Sequence, residues 1–254
     1  MSGSFNLEKY ILHHMQDSRQ WHLPFLPPLS LPPFLSLHGV MVLIAAAFLV
    51  VIFCFLYNRR RRVPGRFTGM LESVVIFIRD DIAVRNLGEE DGRRLTPFLC
   101  TMFFFILTLN LMGLIPVFST ATANPNVTGA LAFFTLCFMT FGTLYKNGFK
   151  GFRKAFIPVG VPRGILILLV PIEVFGLFIK TCALMIRLFA NMLAGHMVIL
   201  AMLGLVLLLG MAALPSVLLA VCVSVLEVFI ALLQAYIFTL LTAVFIGQMY
   251  HPGH

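Results

Sequence analysis

Five strongly ionisable side chains, Glu173, Lys180, Arg187, His196 and Glu227, stand inside two long apolar segments covering residues 164–210 and 215–250. An arginine at the centre of an apolar helix in lipid costs about 2.5–3.5 kcal/mol on insertion scales, and more by simulation. Such a group persists where it faces a partner charge or a water-filled path. Carboxylates and imidazoles in the same setting can take up and release protons where bulk water is scarce. The set points to ion movement through a membrane.

Spacing orders these groups. Glu173, Lys180 and Arg187 are seven residues apart, so each step turns only about 20° beyond a whole number of helical turns. The three form one slowly winding stripe, and Asn191, four residues after Arg187, continues it. His196 is nine residues beyond Arg187, about half a turn round, and faces elsewhere. In the second segment Glu227 and Gln234 are again seven apart and share a face. With the first helix running outward, the second returning, and Arg187 level with Gln234, His196 lies about 13 Å and Glu227 about 10 Å further out, while Glu173 lies about 21 Å further in. The expected arrangement is a fixed cation between proton-carrying stations, one toward each compartment. Lys180 is expected to snorkel to the inner headgroups.

The elements that must position these residues are those of an all-α membrane protein. Of 254 residues, 60% are hydrophobic and 11% charged, against about 25% charged in soluble domains. The sequence predicts five or so spanning helices. The first runs from about Leu37 to Tyr57 and stops at Asn58 and the run Arg59 to Arg62. Residues 66–86 are expected to lie as an amphipathic helix at the interface, because a span would bury Glu72, Arg79, Asp80, Asp81 and Arg85. A charged loop, GEEDGRR, follows. The second span is expected from about Pro97 to Phe118 and the third from about Ala130 to Tyr145, joined by the uncharged loop STATANPNVTG and followed by the basic loop KNGFKGFRK.

The last two apolar segments make roughly 70 and 50 Å of helix against about 30 Å of hydrocarbon. With no charged loop inside them, two strongly tilted helices joined around Leu214-Pro215 are expected. Arginines 59–62 with Lys146, Lys150, Arg153 and Lys154 follow the positive-inside pattern, which places the N-terminus outside and the C-terminus in the cytoplasm. That pattern accounts for the formal charge of +8 without nucleic acid. Residues 1–36 are expected outside the membrane. They carry Glu8, Lys9, Asp17, Arg19 and the run LPFLPPLSLPPF, which does not read as a cleavable signal. Residues 37–254 are expected to form a single membrane-embedded domain. The cysteines (Cys54, Cys100, Cys137, Cys182, Cys222) read as small buried apolar residues, with neither disulfide nor metal spacing, and no cofactor is expected.

The local text carries a resemblance. PIEVFGLFIKTCALMIRLFANMLAGH, residues 171–196, resembles the R-L-F-x-N-M-x-A-G region of subunit a of F-type ATP synthases. LEVFIALLQAYIFTLLTAVFI is similar to that family's last helix with its glutamine, and NLMGLIP, Asn110 to Pro116, to its N-L-x-G-L-x-P. The segment YILHHM resembles the start of bacterial members. The resemblance implies a membrane stator subunit working against a rotating ring of carboxylate-bearing c subunits and held by peripheral-stalk b subunits, in the bacterial plasma membrane or, alternatively, the mitochondrial inner membrane. It implies that Arg187 meets the ring carboxylates and prevents ions from short-circuiting between two half-channels. Asn191 and Gln234 match polar residues that accompany the arginine, and Glu173 an acidic position on the exit side. His196 and Glu227 match a pair that bacterial members often hold as acid first and histidine second. The order here is reversed, closer to the mitochondrial arrangement, which leaves the route open. His38 stands where some bacterial members carry an acid. The ring chain selects H⁺ or Na⁺, and imidazole in the path favours H⁺.

No phosphate-cradling G-x-x-x-x-G-K-[ST] or G-x-G-x-x-G run is present, so ATP chemistry is expected on other subunits. The alternative is a self-contained ion-coupled secondary transporter using Arg187 for an anionic substrate. It lacks the internal repeats and matched Gly/Pro-broken helices such folds carry. A purely structural subunit would leave these ionisable groups in lipid at a cost with no return.

Overall fold

The computed structural model describes residues 20, 21, 29, 30, 32, 36–56, 65–115, 118–156, 163–209 and 214–250. Most of the N-terminal segment, Arg59 to Arg62, Pro116 and the 210–213 junction lie outside the described residues. Apart from one two-rung antiparallel pairing, Gln20 with Ser30 and Trp21 with Leu29, the described secondary structure is helical.

Helix α1, Leu37–Val51, continues into wide π-type turns over Ile52–Leu56. Its first turn is capped by Ser36, whose Oγ accepts the Gly39 N–H at 3.2 Å. Helix α2, Arg66–Phe77, runs on through π-type turns at Ile78–Val84 to Arg85–Leu87. Then come α3, Glu89–Gly113; a 3₁₀ turn at Ala121–Ala123; α4, Pro125–Phe156; α5, Arg163–Leu209; and α6, Leu214–Tyr250. Five of these, α1 and α3 to α6, are long and apolar enough to cross a membrane. The all-α membrane architecture expected from composition is what the chain adopts.

Three expected loops are shorter than composition suggests. GEEDGRR is not a loop: only Gly88, at φ 82°, turns the chain, and α3 begins at Glu89. Glu89 pairs with Arg93 and Glu90 with Arg94, each at 2.9 Å and one turn apart. The acidic first turn also suits the positive end of the helix dipole. Helix α4 starts at Pro125, five residues before the expected Ala130. Asn124 Oδ1 accepts the Asn126 N–H at 2.9 Å as the N-cap, and proline suits the first helical position. The expected basic loop also stays helical apart from Gly148, whose φ of 63° and extended ψ kink α4. The two long apolar segments are continuous helices of 47 and 37 residues, so no hairpin absorbs their excess length. All five cysteines are free as expected, but Cys54, Cys182 and Cys222 are exposed instead of buried. They lie on apolar faces that the chain does not cover itself.

The chain forms two compact units. One gathers residues 1–50, 105–128 and 187–234. Its core holds Met41 and Ala45 of α1, Ile106 and Leu109 of α3, Leu188 and Met192 of α5, and Ala220 and Ala231 of α6. The other gathers residues 51–104, 129–186 and 235–254. There Ile78, Ile82, Ala83 and Leu87 bury one side of α2. Phe98 of α3 stacks on Phe138 of α4 at 3.9 Å between ring centres. Lys146 of α4 pairs with Asp91 of α3 and lies 4.8 Å over the Tyr250 ring of α6. The exposed side of α2 keeps its charges in solvent. Arg79 donates to Asp80 at 2.7 Å, and that hydrogen bond holds the Asp80 carboxyl below its ordinary range.

Helices α2 and α3 meet without room for a side chain at Gly92. A Cβ there would stand 2.6 Å from Val84 Cα and 2.7 Å from its N, and backbone cannot rotate aside. Gly92→Ala is expected to destabilise the protein by about 1–3 kcal/mol, as overpacking does, and to lower its thermal unfolding midpoint in detergent. An unchanged midpoint would show that α3 can move away freely.

Candidate functional site

The ionisable residues singled out by spacing fall into separate groups. Arg187, Asn191, His196, Glu227 and Gln234 all belong to the first unit, on α5 and α6. Glu173 and Lys180 belong to the second.

In the first unit, α5 and α6 are joined by polar contacts. Asn191 Nδ2 donates to Gln234 Oε1 at 2.9 Å. One turn further along α5, Gly195 lies directly against the Glu227 carboxylate. The level placement of Arg187 with Gln234 is therefore shifted: Gln234 meets Asn191, four residues or about 6 Å along α5. Glu227 still falls beside the turn that carries His196, where the missing Cβ of Gly195 leaves room for its carboxylate. Glu227 is 7% exposed, and its Oε2 has no hydrogen-bond partner among the described residues. The same holds for His196 Nε2 and Gln234 Nε2, all in this unit. Buried polar atoms left without protein partners cost about 1–3 kcal/mol each unless water or a mobile ion meets them.

Arg187 is placed differently from these. Its side chain is exposed and makes no ion pair among the described residues. Its neighbours on the exposed side of α5 are Ala190, Asn191, Ala194 and Met197. Facing outward on α6 are Val225, Leu226, Phe229 and Leu233. The arginine thus presents one cation on a face of α5 whose other exposed residues are two alanines, a methionine and the Asn191 amide.

In the second unit, Glu173 is exposed. Lys180 is half-buried and is held by two residues of α6. Its Nζ donates to Gln248 Oε1 at 2.9 Å and lies 5.3 Å over the Phe245 ring, both on α6.

Several polar residues of the first unit lie beyond the set that charge and spacing single out. Asn110 of α3 is fully buried, with neither amide atom bonded to a described residue, and Thr122 Oγ1 is likewise buried without a partner. The signal for Asn110 is its place in NLMGLIP, a polar residue inside an apolar span. His38 is buried, with Nε2 3.2 Å from Ser119 Oγ and Nδ1 3.4 Å from Asn124 Nδ2. Because Asn124 Oδ1 is held by the Asn126 N–H, its amide NH₂ faces Nδ1. That fixes Nδ1 as acceptor and leaves Nε2–H to donate to Ser119.

Residues 39–247, which include every one of these positions except His38 and Gln248, match the family model for the ATP synthase A chain. The chain belongs to that family. It is similar to ATP synthase subunit a of Anaeromyxobacter dehalogenans strain 2CP-C, 46% identical over 85% of this chain and 58% of the relative. It is also similar to the subunit a of Myxococcus xanthus, 39% identical over 95% of this chain and 87% of the relative. ATP synthase subunit a 2 of Prosthecochloris aestuarii is 40% identical over 96% and 80% of the two chains. The chain thus spans a little over half the length of the Anaeromyxobacter relative and most of the other two. The family membership inferred from residues 171–196 is borne out.

Hydrogen bonds between transmembrane helices contribute about 0.6 kcal/mol on average and reach about 1.7. Asn191→Ala and Gln234→Ala, singly and together, are expected to show a coupling of that size in unfolding free energy in mixed micelles. Strictly additive effects would mean that the two amides do not interact.

Proposed function

We propose that this chain is the membrane stator subunit of an F-type ATP synthase, in which Arg187 divides two proton half-paths that meet a rotating ring of carboxylate-bearing c subunits. The observation that carries the reading is the exposed Arg187, with no ion pair among the described residues, on an apolar helix face. It shares a unit with buried Glu227 and half-buried His196, each with a buried polar atom that lacks a partner among those residues. Membership of the ATP synthase A chain family supports it.

A ring carboxylate facing the guanidinium in a low dielectric is favoured in its ionised form. It cannot pass Arg187 while carrying its proton without losing that interaction, so the proton leaves toward the inner compartment, on the side of Glu173. The carboxylate then takes a proton from the outer half-path, through His196 and Glu227 with Asn191 and Gln234 beside them, and moves into lipid neutral. Each proton crossing requires one ring step. An elementary charge moving through 100 mV releases about 2.3 kcal/mol, and several such steps drive ATP formation on other subunits. The reversed order of His196 and Glu227 keeps one imidazole and one acid in the outer half-path.

The partners in this reading are the c-ring, the b subunits of the peripheral stalk and lipid, with no nucleic acid, cofactor or metal. The ion is H⁺, with Na⁺ the alternative that the ring would decide. The protein sits in the bacterial plasma membrane with its N-terminus outside and C-terminus inside, and α5 and α6 lie tilted to fit the bilayer. No described feature favours the secondary-transporter alternative.

Arg187→Ala is expected to abolish ATP-driven proton pumping in inverted membrane vesicles while the complex still assembles. Normal coupled pumping in that variant would overturn the reading. Glu227→Gln should slow proton flux through the membrane sector by at least about tenfold, since a positioned acid–base group typically contributes about 10²–10⁴-fold. Unchanged flux would remove Glu227 from the path.

A further inference from the structure

On the buried seam of α5 in the first unit, Leu188 and Met192 are followed by Gly195. Opposite, the buried residues of α6 in this unit are Ser216, Ala220, Glu227, Ala231 and Gln234. Small residues at such a seam let two membrane helices approach closely, and at Gly195 the approach is made by a side chain. A Cβ built on Gly195 would overlap Glu227 Oε1 outright, and would stand 2.8 Å from its Cδ and 3.2 Å from its Cγ. The space a methyl group would fill is taken by the carboxylate.

We infer that Gly195 is a positioning residue: its bare Cα is the notch that seats the Glu227 carboxylate beside His196. The inference rests on the reading that Glu227 and His196 carry protons in the outer half-path. Each part of the geometry supports a functional notch over a merely tight helix contact. What meets the missing Cβ is the far end of one flexible side chain, with no backbone among the nearest atoms. That sets Gly195 apart from Gly92, where the colliding atoms are backbone. Both helices can therefore stay in place when a methyl group is added at Gly195, and the carboxylate alone must move. Glu227 is at the same time buried, with Oε2 unpartnered, so the notch holds it by shape and not through a hydrogen bond to a described residue. A carboxylate held only by shape is displaced by one methyl group. Proton transfer over hydrogen-bond distances is steeply sensitive to that displacement.

The test is a double-mutant cycle in the assembled ATP synthase, reading proton flux through the membrane sector of vesicles stripped of the catalytic head, with the amount of assembled complex measured in parallel. Gly195→Ala should assemble normally and slow flux by about tenfold or more, since a misplacement of about 1 Å costs up to about a hundredfold. Glu227→Asp withdraws the carboxylate by one carbon–carbon bond, about 1.5 Å, and vacates the notch. The added methyl group should then cost nothing more: the double variant should conduct as well as Glu227→Asp alone. Wild-type flux in Gly195→Ala, or losses that multiply in the double variant, would overturn the inference. If Gly195→Ala assembles poorly, restored assembly in the double variant supports the notch and continued failure overturns it. Glu227→Gln separates the two levels of the claim. Normal flux in that variant sinks the proton path itself, whereas slow flux there with normal flux in Gly195→Ala sinks the notch alone.

Discussion

A guanidinium midway along an apolar helix cannot lose its charge and is costly to leave without a counter-ion in a low dielectric. In this chain Arg187 is that group, and none of the described residues pairs with it. Its side chain is instead exposed on a face of α5 lined by Ala190, Ala194 and Met197. An apolar surface with one cation in it and small residues around that cation suits close approach by another apolar surface carrying an anion. In the proposed reading, the continuity of α5 and its seam with α6 hold that group at a fixed place.

The seam is polar where a membrane helix pair would ordinarily be apolar. Asn191 and Gln234 satisfy part of each other's hydrogen-bonding capacity. Glu227, His196 and Gln234 each keep a buried atom without a partner among the described residues. Asn110 and Thr122 add further such atoms in the same unit. Polar groups buried to this extent are normally satisfied, and most of the described exceptions fall in this unit, which is where the proposed proton path runs. In the other unit Lys146 pairs with Asp91 and Lys180 with the Gln248 amide, threonines such as Thr96, Thr143 and Thr239 are buried in the core, and Thr242 Oγ1 is the one further atom of this kind among the described residues.

Much of this is legible in the amino-acid sequence. The spans can be read because the lengths of apolar runs are set by hydrocarbon thickness, and Leu37, Pro215 and Tyr250 stand at or next to the observed helix ends. The site residues can be read because ionisable groups are rare enough in lipid for each to need a reason. Polar segments are less legible. GEEDGRR reads as a loop by composition, yet glutamates and arginines four apart stabilise a helical first turn, and composition does not record which pairs form. Asn124-Pro125 holds the cap signal that starts α4, and the neighbouring Ser, Thr and Asn residues mask it. The register between α5 and α6 is beyond a single sequence. Whether Gln234 meets Arg187 or Asn191 depends on where two helices touch, and spacing within each helix does not record that.

The central claim is that the exposed guanidinium of Arg187 is there to face a carboxylate of another chain. An electron cryomicroscopy map of the intact synthase, at a resolution that shows side chains, measures this directly. The account predicts the Arg187 guanidinium within about 4 Å of a ring carboxylate, or bridged to it by one water, in at least one rotational state. An Arg187 that points into lipid in every state, or pairs with an acid of its own chain, would contradict it.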